Sequence, residues 1–522
     1  MAADRPSDRE YLPSGCEAQL IPMQQGQLKQ MVVRGAIHNL LFSVAGSVLT
    51  YLQALFVMRL LGPDQIGIYA MAAVVGISVD FISDFGIGDR LVQQDSENLR
   101  NSYDSAAILH LIAAVALCGL VLLSAPLLAH IYRQPALRLL ISVMSYSAFG
   151  GFLRLPLSLL YRDLNFFQQR LWIFLGRVAG FIVTIGLALA GKGIWSLVIG
   201  SLATLLVTGV PAWVLSRFRP RWRLDLAEVK SLVGFSSPVW FSKLAYLTVQ
   251  QGCIVVLSLS LSTQDVGQYK SAEQLASIVF YLEVVVGQTL FPVLCRLKND
   301  PVRLGEAFNI ANRITVAWVA AFSIALYLFA GDVVRVVLTP KWAGTELFLR
   351  AQGVALLFGA IFFSWDAILK AKDLTRPIFH LSALFAGAFL IVFVPLALFG
   401  GRQGAATGLI TMSLLILLLR CYFLLRLKSG ISIWDIVKRP LVSSAAAAAS
   451  VMAIRARVSR AFPLDLAVYG IVYLVAILWL ERSLAKEAVK LLKNDKASAM
   501  SAVVEPERRT DESPAYTRDV ST

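Results

Sequence analysis

Basic residues stand inside several long apolar stretches of the sequence, where a charged side chain needs a specific reason to be. Four of them could bind an anion within a membrane: Arg154, Arg177, Lys243 and Lys270. A charge at the centre of a membrane helix costs about 3 kcal/mol, so these residues are expected to face a water-filled cavity, where they are suited to binding phosphate. The alternative is that the long side chains reach the lipid headgroups. We favour that alternative for Arg313, Arg350 and Arg420.

Acidic residues in the apolar stretches are fewer, and three of them could couple transport to an ion: Glu283, Glu273 and Asp80. A carboxylate buried among apolar side chains must find a cationic partner or take up a proton. Glu273 follows Lys270 by one helical turn, so a local ion pair explains both as well as a binding role does. For Glu283 the alternative is a structural ion pair with an arginine of a neighbouring helix. The five cysteines form neither a disulfide pattern nor a metal-ligand cluster. No catalytic residue, metal site or cofactor is expected.

The elements that must position these residues are membrane-spanning helices. Hydrophobic residues make up 57% of the chain and charged residues 16%, which is more apolar surface than one soluble core can bury. We expect an all-α polytopic membrane protein with about 14 transmembrane helices of about 20 residues each. Their predicted positions are 36–59, 66–89, 105–130, 138–161, 171–190, 194–215, 237–261, 266–291, 310–330, 346–369, 377–399, 405–425, 441–456 and 464–480. These positions place Arg154, Arg177 and Lys243 about 10 Å inside the nearer helix end.

The predicted helices divide the chain into two six-helix repeats with flanking segments. The predicted order is a cytoplasmic N-terminal tail (1–33), an N-lobe (34–216), a basic cytoplasmic linker (217–236), a C-lobe (237–426), two further helices (427–480) and a largely disordered cytoplasmic tail (481–522). Basic residues concentrate in the linker and in three later links of the same side, so the positive-inside rule places both termini in the cytoplasm. The cluster of Arg455, Arg457 and Arg460 lies on the opposite side and argues against this orientation.

An internal repeat supports the two-lobe division. The segment LLGPDQIGIYA (60–70) is echoed by LSTQDVGQYKS (261–271), which aligns Gly67 with Gly267 and Tyr69 with Tyr269. Two further landmarks recur in the same order, RDL at 162–164 with KDL at 372–374, and GKG at 191–193 with GRQG at 401–404. Repeats with an even number of helices share one orientation, so they are related by an axis along the membrane normal. The expected motion is a rocking of two lobes about a central cavity.

Four segments in order carry a resemblance to a known family: MRLLGPDQIGIYAM (58–71), DFGIGDRLVQ (84–93), YRDLNFFQQR (161–170) and LFPVLCRLKND (290–300). With these segments the chain resembles the polysaccharide transporter branch, the Wzx-type flippases, of the multidrug/oligosaccharidyl-lipid/polysaccharide flippase superfamily. The branch often has Ser where Cys295 stands. The resemblance implies flipping of undecaprenyl-pyrophosphate-linked oligosaccharide repeat units across the bacterial inner membrane, for surface or exopolysaccharide biosynthesis. It also favours Lys243 as a pyrophosphate receptor, because the seventh helix lines the cavity in this family.

The expected partners are a lipid-linked oligosaccharide and membrane lipids, with a polysaccharide polymerase and export machinery beyond them, and no nucleic acid. The chain is expected to work as a monomer and not as an enzyme. One alternative is a cation-coupled multidrug or small-molecule exporter of the same superfamily, but the first helix, 36–58, lacks the acid that commonly binds the coupling ion there. A second is a membrane enzyme of polysaccharide assembly, which would need a metal-binding soluble domain or a large outer loop.

Overall fold

The computed structural model describes residues 25–84, 87–88, 91, 99–163, 165–216, 219–221, 223–279, 286, 290–291, 293–372, 374–426, 430–456 and 462–482. Over these residues the regular structure is entirely helical, without a strand. Eleven helical spans of the described chain, some of them made of two consecutive helices, are long and apolar enough to cross a membrane. The predicted all-α polytopic fold is therefore confirmed, whereas the number 14 stays a prediction.

The first half of the chain forms seven helices before the basic linker, within the described residues: α1 (Gln25–Leu60), α2 (Pro63–Asp84), α3 (Leu99–Ile131), α4 (Ala136–Met144), α5 (Gly150–Arg162), α6 (Phe166–Leu189) and α7 (Ile194–Leu215). A 3-10 turn joins α4 to α5, and together they make one span. The start of α6 is fixed by Asn165, whose side chain accepts a hydrogen bond from the Gln168 backbone N–H. This helix therefore begins five residues earlier than the predicted 171, which places Arg177 deeper in the span than expected.

The rest of the described chain continues with α8 (Leu226–Ser260), α9 (Thr263–Ala276), α10 (Pro301–Val333), α11 (Thr345–Ala360), α12 (Trp365–Ala371), α13 (Thr375–Ala388), α14 (Val394–Phe399), α15 (Gly401–Leu425), α16 (Ile433–Arg455) and α17 (Phe462–Leu480). The side chains of Asp225, Ser262 and Ser432 cap α8, α9 and α16 by accepting backbone N–H bonds of the first turn. Helix α8 thus begins inside the predicted linker and runs on through the predicted seventh span.

The repeat landmarks adopt similar local structures. Helices α2 and α9 both begin two residues after a leucine, Leu61 or Leu261, which places Gly67 and Gly267 at the same position of each helix. Gly193 and Gly401 both have positive φ, +55° and +57°; Gly193 directly precedes α7, and Gly401 is the first residue of α15. Since side chains other than glycine are strained at such φ values, glycine is the favoured residue at both turns.

The structure contains two compact units, Met1–Ile278 with Ala330–Gln352 and Phe379–Ile416, and Val279–Phe329 with Gly353–Ile378 and Leu417–Thr522. In the first unit, α6 packs along α7 and α1 packs along α6. Small residues allow the α6–α7 contact, because a Cβ atom added at Gly176 would lie 2.0 Å from the Thr208 Oγ1 atom. In the second unit, α17 packs on α16 and its Tyr469 hydroxyl donates to the Ala321 carbonyl of α10.

Ion pairs in the second unit involve two arginines that the sequence singles out, Arg455 and Arg313. Arg455 Nε lies 2.6 Å from Asp465 Oδ2, and the Asp465 side chain is only 4% exposed. One member of the arginine cluster that opposes the predicted orientation is therefore neutralised, while Arg457 and Arg460 lie outside the described residues. Arg313, predicted to reach the headgroups, lies 3.2 Å from Glu481, which also binds Arg439 at 2.8 Å.

The other two arginines assigned to the headgroups also have protein partners. Arg420 donates to the Gly359 carbonyl in the second unit, at 2.7 Å. Arg350 lies 2.5 Å from Glu346, one turn earlier on α11 in the first unit. Arg313 and Arg420 therefore have partners within the protein, and the headgroup interpretation stays a prediction for both. For Arg350, whose side chain is about half exposed, the ion pair is local to its own helix.

Candidate functional site

Arg154 of α5 and Asp80 of α2, predicted for two different roles, form one ion pair. The Arg154 Nη2 atom donates to Asp80 Oδ1 at 2.8 Å, and each side chain is about one-third exposed. The two residues are 74 positions apart in the sequence, so the pair is made by packing of α2 against α5. A guanidinium held by a carboxylate keeps several N–H donors for a further anion, but its charge is already balanced.

A polar network next to this pair joins three helices of the first unit. The Ser83 hydroxyl donates to the Asp80 carbonyl at 2.8 Å and accepts from the Gly151 backbone N–H at 3.2 Å. The buried His110 ring of α3 places its Nδ1 atom 2.9 Å from the Ser83 carbonyl oxygen. His110 therefore helps fix the turn of α2 that carries Asp80, which is a packing role.

Lys270 and Glu273 of α9 form the local ion pair that their spacing allowed. The Lys270 Nζ atom lies 2.6 Å from Glu273 Oε2, and both side chains are between a quarter and a third exposed. Lys270, predicted to bind an anion, is thus neutralised by Glu273, which is predicted to couple an ion, on the same helix.

Arg177 of α6 has different surroundings. Its guanidinium reaches α1, where a Cβ atom added at Gly46 would lie 2.4 Å from Nη1. It lies about 17 Å along the helix from Phe166, at 1.5 Å per residue. Within the part of the chain that the structure describes, it forms no ion pair with a carboxylate.

Two predicted site residues are not placed in atomic detail. The backbone of Lys243 belongs to α8, and its side chain lies outside the described residues. Glu283 also lies outside them. Both assignments therefore stay predictions. Among the described residues, no group of three or more His, Cys, Asp and Glu side chains is arranged to hold a metal ion.

A close helix contact joins the two halves of the internal repeat inside the first unit. A Cβ atom added at Gly67 of α2 would lie 1.8 Å from the Thr263 carbonyl oxygen, and one added at Gly267 of α9 would lie 1.9 Å from the Pro63 carbonyl oxygen. The two backbones touch reciprocally, and Thr263 Oγ1 donates to Asp64 Oδ1 at 3.0 Å. We name this contact between α2 and α9 the glycine seam.

Arg402, at the start of α15, belongs to the third repeat landmark, GRQG (401–404), and braces α9 near the seam. Its Nε atom lies 3.0 Å from Asp265 Oδ1, and its Nη2 atom donates to Gln268 Oε1 and to the Gly344 carbonyl, both at 3.0 Å. One side chain thus links the first two turns of α9 to the start of α11. In the sequence Arg402 stands out only as part of a turn, because its partners are distant along the chain.

The end of α1 is held to the link between α10 and α11. The buried Trp342 indole N–H donates to the Met58 carbonyl at 2.8 Å, and Arg59 Nε donates to the Val337 carbonyl at 2.8 Å. Lys341 Nζ donates to the Arg59 carbonyl at 3.1 Å, and burial lowers the pKa of this lysine from its usual range. These bonds hold the end of α1, and the glycine seam holds the beginnings of α2 and α9.

Comparisons with known proteins identify relatives of this chain. A family of proteins described as polysaccharide biosynthesis protein matches residues 56–346. The succinoglycan biosynthesis transport protein ExoT of Rhizobium meliloti (strain 1021) is 29% identical over 290 residues, which cover 55% of this chain and 58% of ExoT. The alignment with ExoT thus spans less than two thirds of that relative. The lipopolysaccharide biosynthesis protein WzxC of Escherichia coli (strain K12) is 22% identical over 398 residues, 73% of this chain and 77% of WzxC.

The fold also matches a solved structure. The lipid II flippase MurJ, in an inward closed conformation, superposes with a TM-score of 0.71 at 15% sequence identity, covering 85% of this chain and 100% of that chain. At this level of identity the likeness concerns the fold alone. The match to residues 56–346 covers more than half of the 522 residues, and it includes the seam helices α2 and α9. The chain therefore belongs to the polysaccharide biosynthesis protein family, in agreement with the resemblance to polysaccharide transporters that its sequence carries.

Proposed function

We propose that this protein flips an undecaprenyl-pyrophosphate-linked oligosaccharide repeat unit from the cytoplasmic to the outer leaflet of a bacterial inner membrane. The observation that carries the proposal is Arg177, an arginine deep in a membrane span that no described carboxylate neutralises, in a fold shared with a lipid II flippase. A span tolerates such a charge where it meets water or an anion. The names of ExoT and WzxC, a transport protein and a biosynthesis protein of bacterial polysaccharides, support the same cargo class.

The proposed receptor for the pyrophosphate consists of Lys243, Arg154 and Arg177, with Lys270 as a further cation. Arg154 and Lys270 have carboxylate partners in this conformation, so Arg177 and Lys243 are the cations we expect to meet the cargo first. Asp80, Glu273 and Glu283 remain the proposed ion-coupling residues. With the inside negative, moving one negative charge fully outward is favoured by about 2.3 kcal/mol per 100 mV, so export of the anion does not require a coupled ion.

The proposed cycle alternates access between two parallel six-helix repeats, the N-lobe (34–216) and the C-lobe (237–426), with two further helices at 427–480. If both termini are cytoplasmic, as the basic links predict, the glycine seam lies at the outer face. The seam would then close the outer side in this conformation, and opening it would release the glycan. We further propose that the chain acts as a monomer, without enzymatic activity, and delivers its product to a polysaccharide polymerase and export machinery.

A depletion assay tests the proposed function. Cells that lack the protein should accumulate lipid-linked repeat units on the cytoplasmic side and lose glycan from the outer leaflet. Complementation with Lys243→Ala should restore protein level in the membrane but little glycan display, while the control Lys192→Ala, in the exposed link between α6 and α7, should restore both. Unchanged outer-leaflet glycan in depleted cells would refute the function. A fully active Lys243→Ala variant would refute the receptor assignment alone.

A further inference from the structure

Helices α1 and α6 enclose a shallow pocket that contains two arginines. Its lining consists of Phe42 and Ser43 from α1 with Arg170, Ile173, Phe174 and Arg177 from α6. The space enclosed between these side chains is only about 10 Å³, so a ligand would lie along the open face of the groove. Arg170 and Arg177 are seven residues apart, so they lie on one face of α6 about 10 Å from each other along the axis.

Both arginines are half-buried, and their charge is not balanced locally. Neither forms an ion pair with any carboxylate among the residues that the structure describes. The Arg170 Nε atom is shielded from the surroundings and has no hydrogen-bond partner. A half-buried guanidinium without a carboxylate is costly in an apolar span, so the pair of positive charges calls for an anion in the pocket.

The pocket also offers an apolar wall beside the charges. The Phe42 ring lies 5.7 Å from the ring of Phe167 and 5.6 Å from that of Phe174, measured between centroids. Side chains of this kind can hold a hydrocarbon chain, while guanidinium groups bind phosphate through paired N–H donors. Two guanidinium groups next to aromatic rings match a molecule with a phosphate head and an apolar tail.

We propose that Arg170 and Arg177 form a binding site for the phosphate head of a membrane lipid in the groove between α1 and α6. The Ser43 hydroxyl is a further donor to that phosphate. Two kinds of lipid share this chemistry, a polyprenyl diphosphate such as the carrier of the glycan and a bulk anionic phospholipid. The first case rests on the proposed function and adds Arg170 to its receptor. The second does not depend on that function.

Lipid binding to the purified full-length protein in detergent tests the site. Native mass spectrometry would compare wild type, the double variant Arg170→Gln/Arg177→Gln and the control Lys192→Gln, an exposed basic residue of the same unit. The probes are farnesyl diphosphate and a short-chain phosphatidylglycerol. We expect the double variant to lose about tenfold or more in affinity for at least one probe, since charge-assisted hydrogen bonds are lost.

The two probes distinguish the sources of the phosphate. A loss confined to farnesyl diphosphate assigns the site to the cargo lipid, and a loss for phosphatidylglycerol assigns it to the bulk bilayer. Unchanged affinity for both probes in the double variant would overturn the site. If that variant does not fold, Arg177→Lys keeps the charge without the paired donors, and it should still weaken binding; unchanged binding would again overturn the site.

The result does not depend on the outcome of the depletion assay. A protein that binds lipid phosphate through the two arginines, in cells whose glycan display survives depletion, would retain the site and refute the flippase proposal. If flipping is normal and substitution of both arginines leaves lipid binding unchanged, the flippase proposal is retained and the site is refuted.

Discussion

The glycine seam and the α1–α6 groove are two places in the first unit where a glycine lets a neighbour come close. At the seam the neighbour is backbone, because a Cβ atom at Gly67 would lie 1.8 Å from the Thr263 carbonyl oxygen. In the groove the neighbour is the far end of a side chain, because a Cβ atom at Gly46 would lie 2.4 Å from Arg177 Nη1. At the seam, α2 and α9 can separate only if a whole helix moves. In the groove, the Arg177 guanidinium can move without its helix.

This difference suggests two kinds of functional contact. The seam has small residues, reciprocal backbone contact and a side-chain hydrogen bond, so it suits a contact that is either closed or open. The groove has two charges without a described carboxylate partner and a small pocket, so it suits a ligand. Substitutions that add one methyl group to each glycine test the comparison without changing any charge.

Gly67→Ala should have the largest effect, because the added methyl group cannot coexist with the Thr263 carbonyl unless α2 and α9 separate. We expect glycan display in complemented cells to fall at least about tenfold, since close helix contact in a membrane depends on small residues. Immunoblotting of the membrane fraction would separate lost function from lost protein. The control is Gly62→Ala, where nothing lies within 4 Å of the added atom. Normal display by Gly67→Ala would show that the seam is not required.

Gly46→Ala should have a smaller effect. The methyl group displaces the Arg177 guanidinium, which is flexible, and leaves both charges of the groove in place. We expect a few-fold loss of affinity for the lipid probe that depends on Arg177, roughly the weakening of one hydrogen bond, with little change in protein level. The matched control is Gly186→Ala on α6, where the added atom meets nothing within 4 Å. A loss as large as that of the double arginine variant would mean that Gly46 itself shapes the pocket.

The sequence predicts the partners that are close along one helix and misses those that packing brings together. Lys270 and Glu273 are one turn apart, so spacing alone allows their ion pair. Arg154 and Asp80 lie on different helices, and their meeting depends on how α2 and α5 rotate against each other, which the apolar periodicity of a membrane helix leaves undefined.

The glycines of the seam are an intermediate case. Gly67 and Gly267 appear in the sequence as aligned positions of a repeat, but their contact requires the two repeats to face each other. The helical spans were predictable because apolar length alone determines them. The early start of α6 was missed because it depends on the Asn165 cap, which adds a turn that hydropathy does not show.

The last test has the smallest expected effect. It asks whether Asp80 neutralises Arg154, which would distinguish Arg154 from Arg177. Asp80→Asn should destabilise the protein by about 1 kcal/mol or less, a value kept low because both side chains are about one-third exposed. Adding Arg154→Gln should recover part of that loss, because Arg154 has no described carboxylate partner once Asp80 is replaced. Residues in contact typically couple by about 0.5–3 kcal/mol. Thermal unfolding in detergent measures both, with Asp366→Asn as the control because its pair with Lys370 is more exposed. Additive losses would mean that Asp80 does not neutralise Arg154, and Arg154 would then join Arg177 as a proposed phosphate-binding cation that no described carboxylate neutralises.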